Sequence, residues 1–166
     1  MRLQILSVLA AGLLLAACSS DEPVETASTQ GAGSTTQTGA ATGPAVGEGT
    51  VEDFNQNVGN TVYFGFDRYD LTAEAQAQLQ KEAAWLQQYP QHTVTVEGHC
   101  DERGTREYNL ALGERRANAT KNYLIALGID QNRMQTISYG KERPVCTEST
   151  ESCWAQNRRA VVVLQQ

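Results

Sequence analysis

Segments with strand character alternate with segments of helical periodicity from residue 51 to the C-terminus. β-Branched and aromatic residues alternate over 61–66, whereas Ala75, Leu79 and Leu86 recur at helical spacing in a segment that Pro90 ends. The predicted strands are 61–66, 92–97, 134–139 and 160–165, and the predicted helices are 51–58, 72–89, 106–127 and a turn near Trp154. This alternation indicates the α/β (α+β) class, here a two-layer sandwich in which helices pack on a mixed sheet.

The segment before this region has a different composition. Residues 19–50 are rich in Gly, Ala, Ser, Thr and Gln and hold almost no large apolar residue. Such a segment buries too little apolar surface to offset the entropy lost on folding, so we expect a flexible linker. A coil of about 30 residues has a root-mean-square span of roughly 30 Å and a stretched length of about 100 Å. The folded domain is therefore assigned to 51–166, which is long enough for a hydrophobic core.

The N-terminus has the features of a signal peptide, predicted at 1–17. Arg2 precedes an apolar run over 3–15 that is short for a membrane span, and small residues follow it. The sequence Leu15-Ala16-Ala17-Cys18 also resembles the bacterial lipobox, at which the cysteine receives a diacylglyceryl group and becomes the new N-terminus. Residues 18–50 are accordingly predicted to be a lipidated N-terminus and linker. Ordinary cleavage beside a chance cysteine is the alternative.

Lipidation at Cys18 would tie the domain to a membrane. Two or three acyl chains hold a protein firmly in a membrane, because each buried methylene contributes about 0.8 kcal/mol to the free energy of membrane binding. Ser19 follows the cysteine and is compatible with sorting to the outer membrane. The formal net charge of −6 argues against nucleic acid as a partner, since nucleic acid requires a basic face.

Three further cysteines would enter an oxidising compartment after export. Cys146 and Cys153 flank a short polar loop, and a disulfide between them would contribute on the order of 2–3 kcal/mol. Two reduced thiols are the alternative. Cys100 then remains either as a partly buried free thiol or as the site of an occasional intermolecular bond.

The segment 98–118 joins an acidic loop to a helix with a predicted N-cap at Thr105. On a helical wheel Asn109 and Arg116 lie on the same flank, near the end to which the loop delivers Asp101. A carboxylate and a guanidinium held one ligand apart can bind a small zwitterion through charge-assisted hydrogen bonds, roughly twice as strong as neutral ones. In the alternative interpretation, Asp101 and Arg116 pair only with each other and hold the loop.

Several segments, in the same order, are similar to those of OmpA-like peptidoglycan-binding domains. The similarity covers nearly all of 52–166, and the lipobox and linker fit the lipid-anchored members of this family. The segments that carry it are Gly98 to Asn118, Val62-Tyr63-Phe64-Gly65-Phe66-Asp67, Ser138-Tyr139-Gly140-Lys141-Glu142-Arg143-Pro144 and Asn157-Arg158-Arg159-Ala160-Val161. Cys146 and Cys153 depart from some members, which leaves the shape of their loop open.

The resemblance implies a non-covalent hold on the diaminopimelate residue of the peptidoglycan stem peptide, whose distal amine and carboxylate are free when it is not cross-linked. It implies that Asp101 binds the amine and Arg116 the carboxylate. It further implies that Asn109 donates or accepts a hydrogen bond and that Arg103 assists. The remaining implied contacts are Phe66 and Asp67 on the opposite wall and Leu112 as the apolar floor.

The family also implies partners and a location. The implied location is the outer membrane, with the domain in the periplasm. The implied partners are the Tol proteins, notably the propeller protein TolB, with a role in maintaining the envelope and in cell division. It implies neither an enzymatic activity nor a cofactor. The competing hypotheses are a glycan hydrolase that uses Asp67 and Asp101 as paired carboxylates, a Cys100–His99 nucleophile, and a pure protein-interaction module. A metal site at His99, Cys100 and Asp101 is disfavoured because no second ligand cluster is present.

Overall fold

The computed structural model describes residues 47–165. The predicted signal peptide, Cys18 and most of the predicted linker lie outside these residues. Within them, no helix is both long and apolar enough to cross a membrane. The last residues assigned to the linker form a turn, in which the Thr50 hydroxyl donates to the Gly47 carbonyl oxygen at 2.7 Å.

Four strands form one mixed sheet: β1 (Thr61–Tyr63), β2 (Val94–His99), β3 (Met134–Gly140) and β4 (Arg159–Leu164). Their order across the sheet is β1-β4-β2-β3. Strand β2 runs parallel to β3, whereas β4 is antiparallel to both β1 and β2. The C-terminal strand therefore lies in the middle of the sheet, and β1 and β3 form its edges.

The helices are α1 (Val51–Asp53), which continues as a π-helical turn (Phe54–Val58), α2 (Ala73–Gln88), α3 (Arg106–Ala126) and α4 (Glu151–Asn157). A 3-10 turn (Gln131–Arg133) precedes β3. Threonine hydroxyls cap the two long helices: Thr72 accepts from the Ala75 amide and Thr105 from the Tyr108 amide, both at 3.2 Å. Gly128, at φ 97°, follows the end of α3, as expected for a left-handed helix terminus.

Alternating side chains of the strands form the core together with the long helices. Val62, Val94, Val96 and Val162 are at most 2 % exposed, whereas the residues between them in β2 and β4 are half-buried on the other face of the sheet. Leu79 and Leu86 of α2 and Leu124 of α3 are fully buried against the inward-facing valines. The α/β two-layer sandwich with a mixed sheet is confirmed.

A glycine pair brings α3 unusually close to the sheet. A Cβ atom added to Gly98 of β2 would lie 1.9 Å from the carbonyl oxygen of Gly113 in α3. Only glycine allows this approach. The contact fixes the helix against the C-terminal end of β2, so the loop between them and the first turns of α3 meet at one corner of the domain.

The predicted elements are all present, but the first strand is shorter than predicted. The pattern 61–66 predicted one continuous strand, yet β1 ends at Tyr63. The Phe64 amide still donates to the Arg158 carbonyl oxygen at 2.9 Å, after which the chain turns and Asp67 adopts a φ of 55°. This turn carries Phe66 and Asp67 away from the sheet and over the start of α3.

Candidate functional site

A cavity of about 170 Å³ lies at the corner where β1, β2 and α3 meet. The turn after β1, the loop after β2 and one face of α3 each contribute to its wall. All seven residues that sequence analysis assigned to a binding site line this cavity: Phe66, Asp67, Asp101, Arg103, Asn109, Leu112 and Arg116. Cys100, Gly104 and Tyr108 complete the lining. The cavity therefore combines two carboxylates, two guanidinium groups and an apolar floor.

Asp101 is almost fully buried and is held by two arginines. Its Oδ1 accepts from the Arg103 backbone amide at 3.1 Å and from Arg103 Nε at 3.2 Å. Its Oδ2 accepts from Arg103 Nη2 at 2.6 Å and from Arg158 Nη1 at 3.4 Å. Burial opposes ionisation of Asp101, but these hydrogen bonds, those from Arg103 first, outweigh it and hold the pKa of the carboxyl group below its usual value.

Arg116 does not pair with Asp101, so the interpretation in which these two residues bind only each other is wrong. The fully buried guanidinium donates instead to three backbone carbonyl oxygens: His99 at 2.7 Å, Arg68 at 2.8 Å and Gly65 at 3.1 Å. Burial lowers its pKa, yet a guanidinium stays protonated in proteins. Three of its five N–H groups are thus occupied, which leaves one on each terminal nitrogen, and the residue forms part of the cavity lining.

Asn109 holds the loop in place at the cavity mouth. Its Nδ2 donates to the carbonyl oxygens of Arg103 at 2.8 Å and Thr105 at 3.0 Å. From the other side, Lys141 Nζ donates to the carbonyl oxygens of Glu102 and Gly104 at 3.0 and 2.7 Å. The loop that carries Asp101 is therefore fixed before any ligand arrives, which reduces the entropy lost on binding.

Asp67 lies opposite this loop in a strained backbone conformation. It is the one non-glycine residue with positive φ among residues 47–165. Residues of this kind cost on the order of 1–3 kcal/mol and cluster at functional sites. The Tyr108 hydroxyl donates to Asp67 Oδ1. The Tyr108 side chain, which was not among the predicted site residues, is 45 % exposed and lines the cavity.

Arg103 lies between two aromatic rings. Its guanidinium carbon is 4.1 Å from the ring centroid of Phe66 and 4.1 Å from that of Trp154. Cation–π contacts of this kind contribute about 0.5–1 kcal/mol at exposed sites. Trp154 was not predicted to belong to the site, because it lies more than fifty residues further along the chain, in α4 directly after Cys153.

The two groups proposed as a nucleophile and its base do not form such a pair. The Cys100 thiol donates to the carbonyl oxygen of Asn109 at 3.3 Å, and burial raises its pKa to about 11. Burial, followed by the charges of Arg159 and Arg143, lowers the pKa of His99 to about 4. At neutral pH the thiol is therefore protonated and the imidazole is neutral. Across residues 47–165, no three His, Cys, Asp or Glu side chains cluster as metal ligands would.

The fold and the cavity define a small α/β domain with a polar cavity at one corner, and comparison with known proteins gives its family. The chain belongs to the OmpA family, whose model matches residues 63–158. A peptidoglycan-associated lipoprotein of Brucella melitensis biotype 1 is 57 % identical over 116 residues, which are 70 % of this chain and 69 % of that protein. A peptidoglycan-associated lipoprotein of Mesorhizobium japonicum is 46 % identical over 160 residues, which are 96 % of this chain and 90 % of that protein.

A solved structure agrees with this assignment. The crystal structure of the peptidoglycan-associated lipoprotein from Burkholderia pseudomallei matches with a TM-score of 0.66 and 42 % sequence identity, covering 70 % of this chain and 100 % of that one. The resemblance to the OmpA-like family, first seen in the sequence motifs, is therefore confirmed at the level of sequence and of fold.

Proposed function

We propose that this protein binds peptidoglycan non-covalently through the free amine and carboxylate of diaminopimelate in the stem peptide. The observation that carries the proposal is the meeting of Asp67, Asp101 and Arg116 around one small cavity at the corner of the domain. A ligand that carries both an ammonium and a carboxylate group complements such a cavity. The names of the relatives, peptidoglycan-associated lipoproteins, support peptidoglycan as the polymer that is bound.

In this proposal Arg116 binds the ligand carboxylate. Its two remaining N–H groups offer charge-assisted hydrogen bonds, and the other three already hold the guanidinium in place. Arg103 assists from the mouth of the cavity. The ligand ammonium approaches Asp101 and exchanges with the longest of its contacts, the 3.4 Å contact from Arg158. Leu112 packs against the methylene chain of diaminopimelate, and Asn109 keeps the loop closed around it.

We further propose that the protein links the outer membrane to the cell wall. The lipobox at Cys18 supports a lipid anchor, Ser19 is compatible with outer-membrane sorting, and the linker gives the domain reach into the periplasm. Many weak contacts between anchored copies and the cell wall add up by avidity. The family resemblance supports TolB and the other Tol proteins as partners, with a role in envelope integrity and cell division.

The charge state of Asp101 speaks against hydrolysis. The acid of a glycosidase pair needs a raised pKa to deliver a proton near neutral pH. The pKa of Asp101 is lowered, and two arginines occupy its oxygens. Asp101 is therefore poorly suited to act as the general acid of such a pair, which favours binding over hydrolysis.

The test compares soluble stem tripeptides by isothermal titration calorimetry. One peptide ends in diaminopimelate, a second in lysine, which lacks the distal carboxylate, and a third in diaminopimelate amidated at that carboxylate. Because hydrogen bonds to charged groups contribute about 1.5–3 kcal/mol, the second and third peptides should bind roughly 10- to 100-fold more weakly. These changes are made in the ligand and leave the fold intact. Equal affinity for all three would contradict the proposed role of Arg116, because the peptides differ only at the distal carboxylate.

A second experiment incubates the non-lipidated protein with purified sacculi. We expect co-sedimentation without release of soluble fragments, and fragments would indicate a hydrolase instead. Asp70→Asn is a matched control, because Asp70 forms an exposed pair with Arg68 outside the cavity. The control should sediment like the wild type, whereas Asp67→Asn, which keeps an oxygen for the Tyr108 hydroxyl, should lower the bound fraction. Equal sedimentation of both variants would remove Asp67 from the site.

A further inference from the structure

The segment closed by the two cysteines reaches the candidate site. Cys146 and Cys153 form a disulfide, and Trp154 follows immediately in α4. The Trp154 ring lies over the Arg103 guanidinium at 4.1 Å, and its Nε1 donates to Glu102 Oε1 at 3.0 Å. One side chain of α4 thus contacts two consecutive residues of the loop that carries Asp101.

A second residue of α4 contacts both arginines that hold Asp101. Glu151 Oε1 accepts from Arg158 Nη2 at 2.6 Å, and Glu151 Oε2 lies 3.8 Å from Arg103 Nη2. Glu151 and Trp154 are three residues apart, so they lie on the same face of the helix. This face of α4 therefore supports the charged wall of the cavity from outside.

The disulfide and one asparagine fix the position of α4. The Asn157 side chain accepts from the amides of Val145 and Cys146 at 2.8 and 3.2 Å, and it donates to the Cys146 carbonyl oxygen at 2.7 Å. The disulfide joins the same residue, Cys146, to the helix. The disulfide and the Asn157 hydrogen bonds thus both hold α4 against the segment that precedes it, at residues 145 and 146.

We propose that Trp154, held by the Cys146–Cys153 disulfide, is a positioning residue of the site that keeps the Arg103 guanidinium beside Asp101 and thereby strengthens ligand binding. The inference rests on the proposed function. Arg103 is a long side chain at the cavity mouth, and such a side chain loses rotamer freedom when a ligand immobilises it. Stacking between Phe66 and Trp154 restricts it in advance, so less entropy is lost on binding.

A double-mutant cycle tests this role. The affinity for the diaminopimelate tripeptide is measured for the wild type, Trp154→Leu, Arg103→Met and the double variant. We expect Trp154→Leu to weaken binding about 2- to 5-fold, as for the loss of one exposed cation–π contact. In the Arg103→Met background the same change should have no effect. Trp154→Phe should restore much of the affinity, because it keeps an aromatic face over Arg103.

The disulfide is tested in the same way. The double variant Cys146→Ser, Cys153→Ser should weaken binding in the wild-type background and have little further effect together with Trp154→Leu. Tyr63→Leu serves as a control, because Tyr63 is an exposed aromatic residue of β1 outside the cavity lining. A thermal melt checks that each variant folds cooperatively.

A ligand-free measurement separates positioning from general support of the fold. Two rings that flank Arg103 shift its Nε–H resonance upfield, and Trp154→Leu should move this resonance downfield. If the wild type does not bind the tripeptide, the proposed function fails and this inference fails with it. If the wild type binds, two results would overturn the inference alone. In one, the Trp154→Leu variant binds as tightly as the wild type; in the other, the substitution weakens binding by the same factor in the wild-type and Arg103→Met backgrounds.

Discussion

A buried carboxyl group on α2 makes the stability of this domain depend on pH. Glu82 is fully buried on the face that packs against the core, next to Ala83. Its Oε1 accepts from Gln78 Nε2 at 3.0 Å, and its Oε2 has no hydrogen-bond partner. Burial raises the pKa of Glu82 from 4.5 to about 8, against the smaller opposing effect of the Gln78 hydrogen bond.

The direction of the pH dependence follows from these values. Between pH 4.5 and about 8 the folded protein keeps a proton on Glu82 that the unfolded protein has released, so stability falls as pH rises and levels off above about 8. One pKa unit corresponds to about 1.4 kcal/mol, so the full loss over this window is on the order of 4–5 kcal/mol. Small domains have unfolding free energies of about 5–15 kcal/mol, which makes this loss large.

The substitution Glu82→Gln removes the titrating group and keeps its size. At pH 5 the two proteins should differ by at most about 1 kcal/mol, because both side chains are neutral and one polar atom lacks a partner in each. At pH 8 the variant should be more stable by about 2–4 kcal/mol, which for a domain of this size raises the melting temperature by roughly 10 °C.

The measurement is urea denaturation of the non-lipidated protein at pH 5, 6, 7 and 8. Glu148→Gln, in an exposed part of the chain, is the control for removal of one negative charge and should follow the wild type. The difference between Glu82→Gln and the wild type isolates Glu82 from all other titrating groups. Parallel curves for these two proteins across the pH range would refute the reasoning, because Glu82 would then ionise in the folded state as readily as in the unfolded one.

Further predictions concern the residues around the cavity. Gly98→Ala places a methyl group 1.9 Å from the Gly113 carbonyl oxygen and should destabilise the domain by more than about 2 kcal/mol. An unchanged midpoint in a urea titration would contradict the close approach of α3 to β2. His99, with a pKa of about 4 in the folded state, should show no protonation above about pH 5 by NMR, and a titration near pH 6.5 would contradict this. Because only the unfolded state gains a proton as the pH falls below 6.5, the free energy of unfolding should decrease there. In the native, non-lipidated protein that starts after Cys18, the buried thiol of Cys100 should resist labelling. After unfolding without reductant, one thiol per chain should react, whereas three reactive thiols would show that no disulfide exists.

The sequence predicts much of the candidate site because its key residues lie in short, regular segments. The helical period places Asn109, Leu112 and Arg116 on one face of α3, and the loop before it has only a few residues in which to place Asp101. Such local geometry needs no knowledge of the rest of the fold. The strands and helices were predictable for a similar reason, because hydrophobic residues recur at different intervals along a strand and along a helix.

Contacts between distant segments escaped this reasoning. The partners of Arg116 are backbone carbonyl groups of Gly65, Arg68 and His99, and no side-chain pattern marks them. The role of Trp154 depends on where α4 packs, which is a property of the whole domain. The left-handed conformation of Asp67, which follows the predicted strand 61–66, was also not predicted, because the residue type at the start of a turn does not by itself set the sign of φ.

The buried guanidinium of Arg116 has a mechanical consequence. From the middle of α3, its hydrogen bonds connect the turn after β1 to the C-terminal end of β2. If the proposed function holds, a load applied to Arg116 through a bound stem peptide would be distributed over three backbone segments, because its guanidinium is hydrogen-bonded to all three.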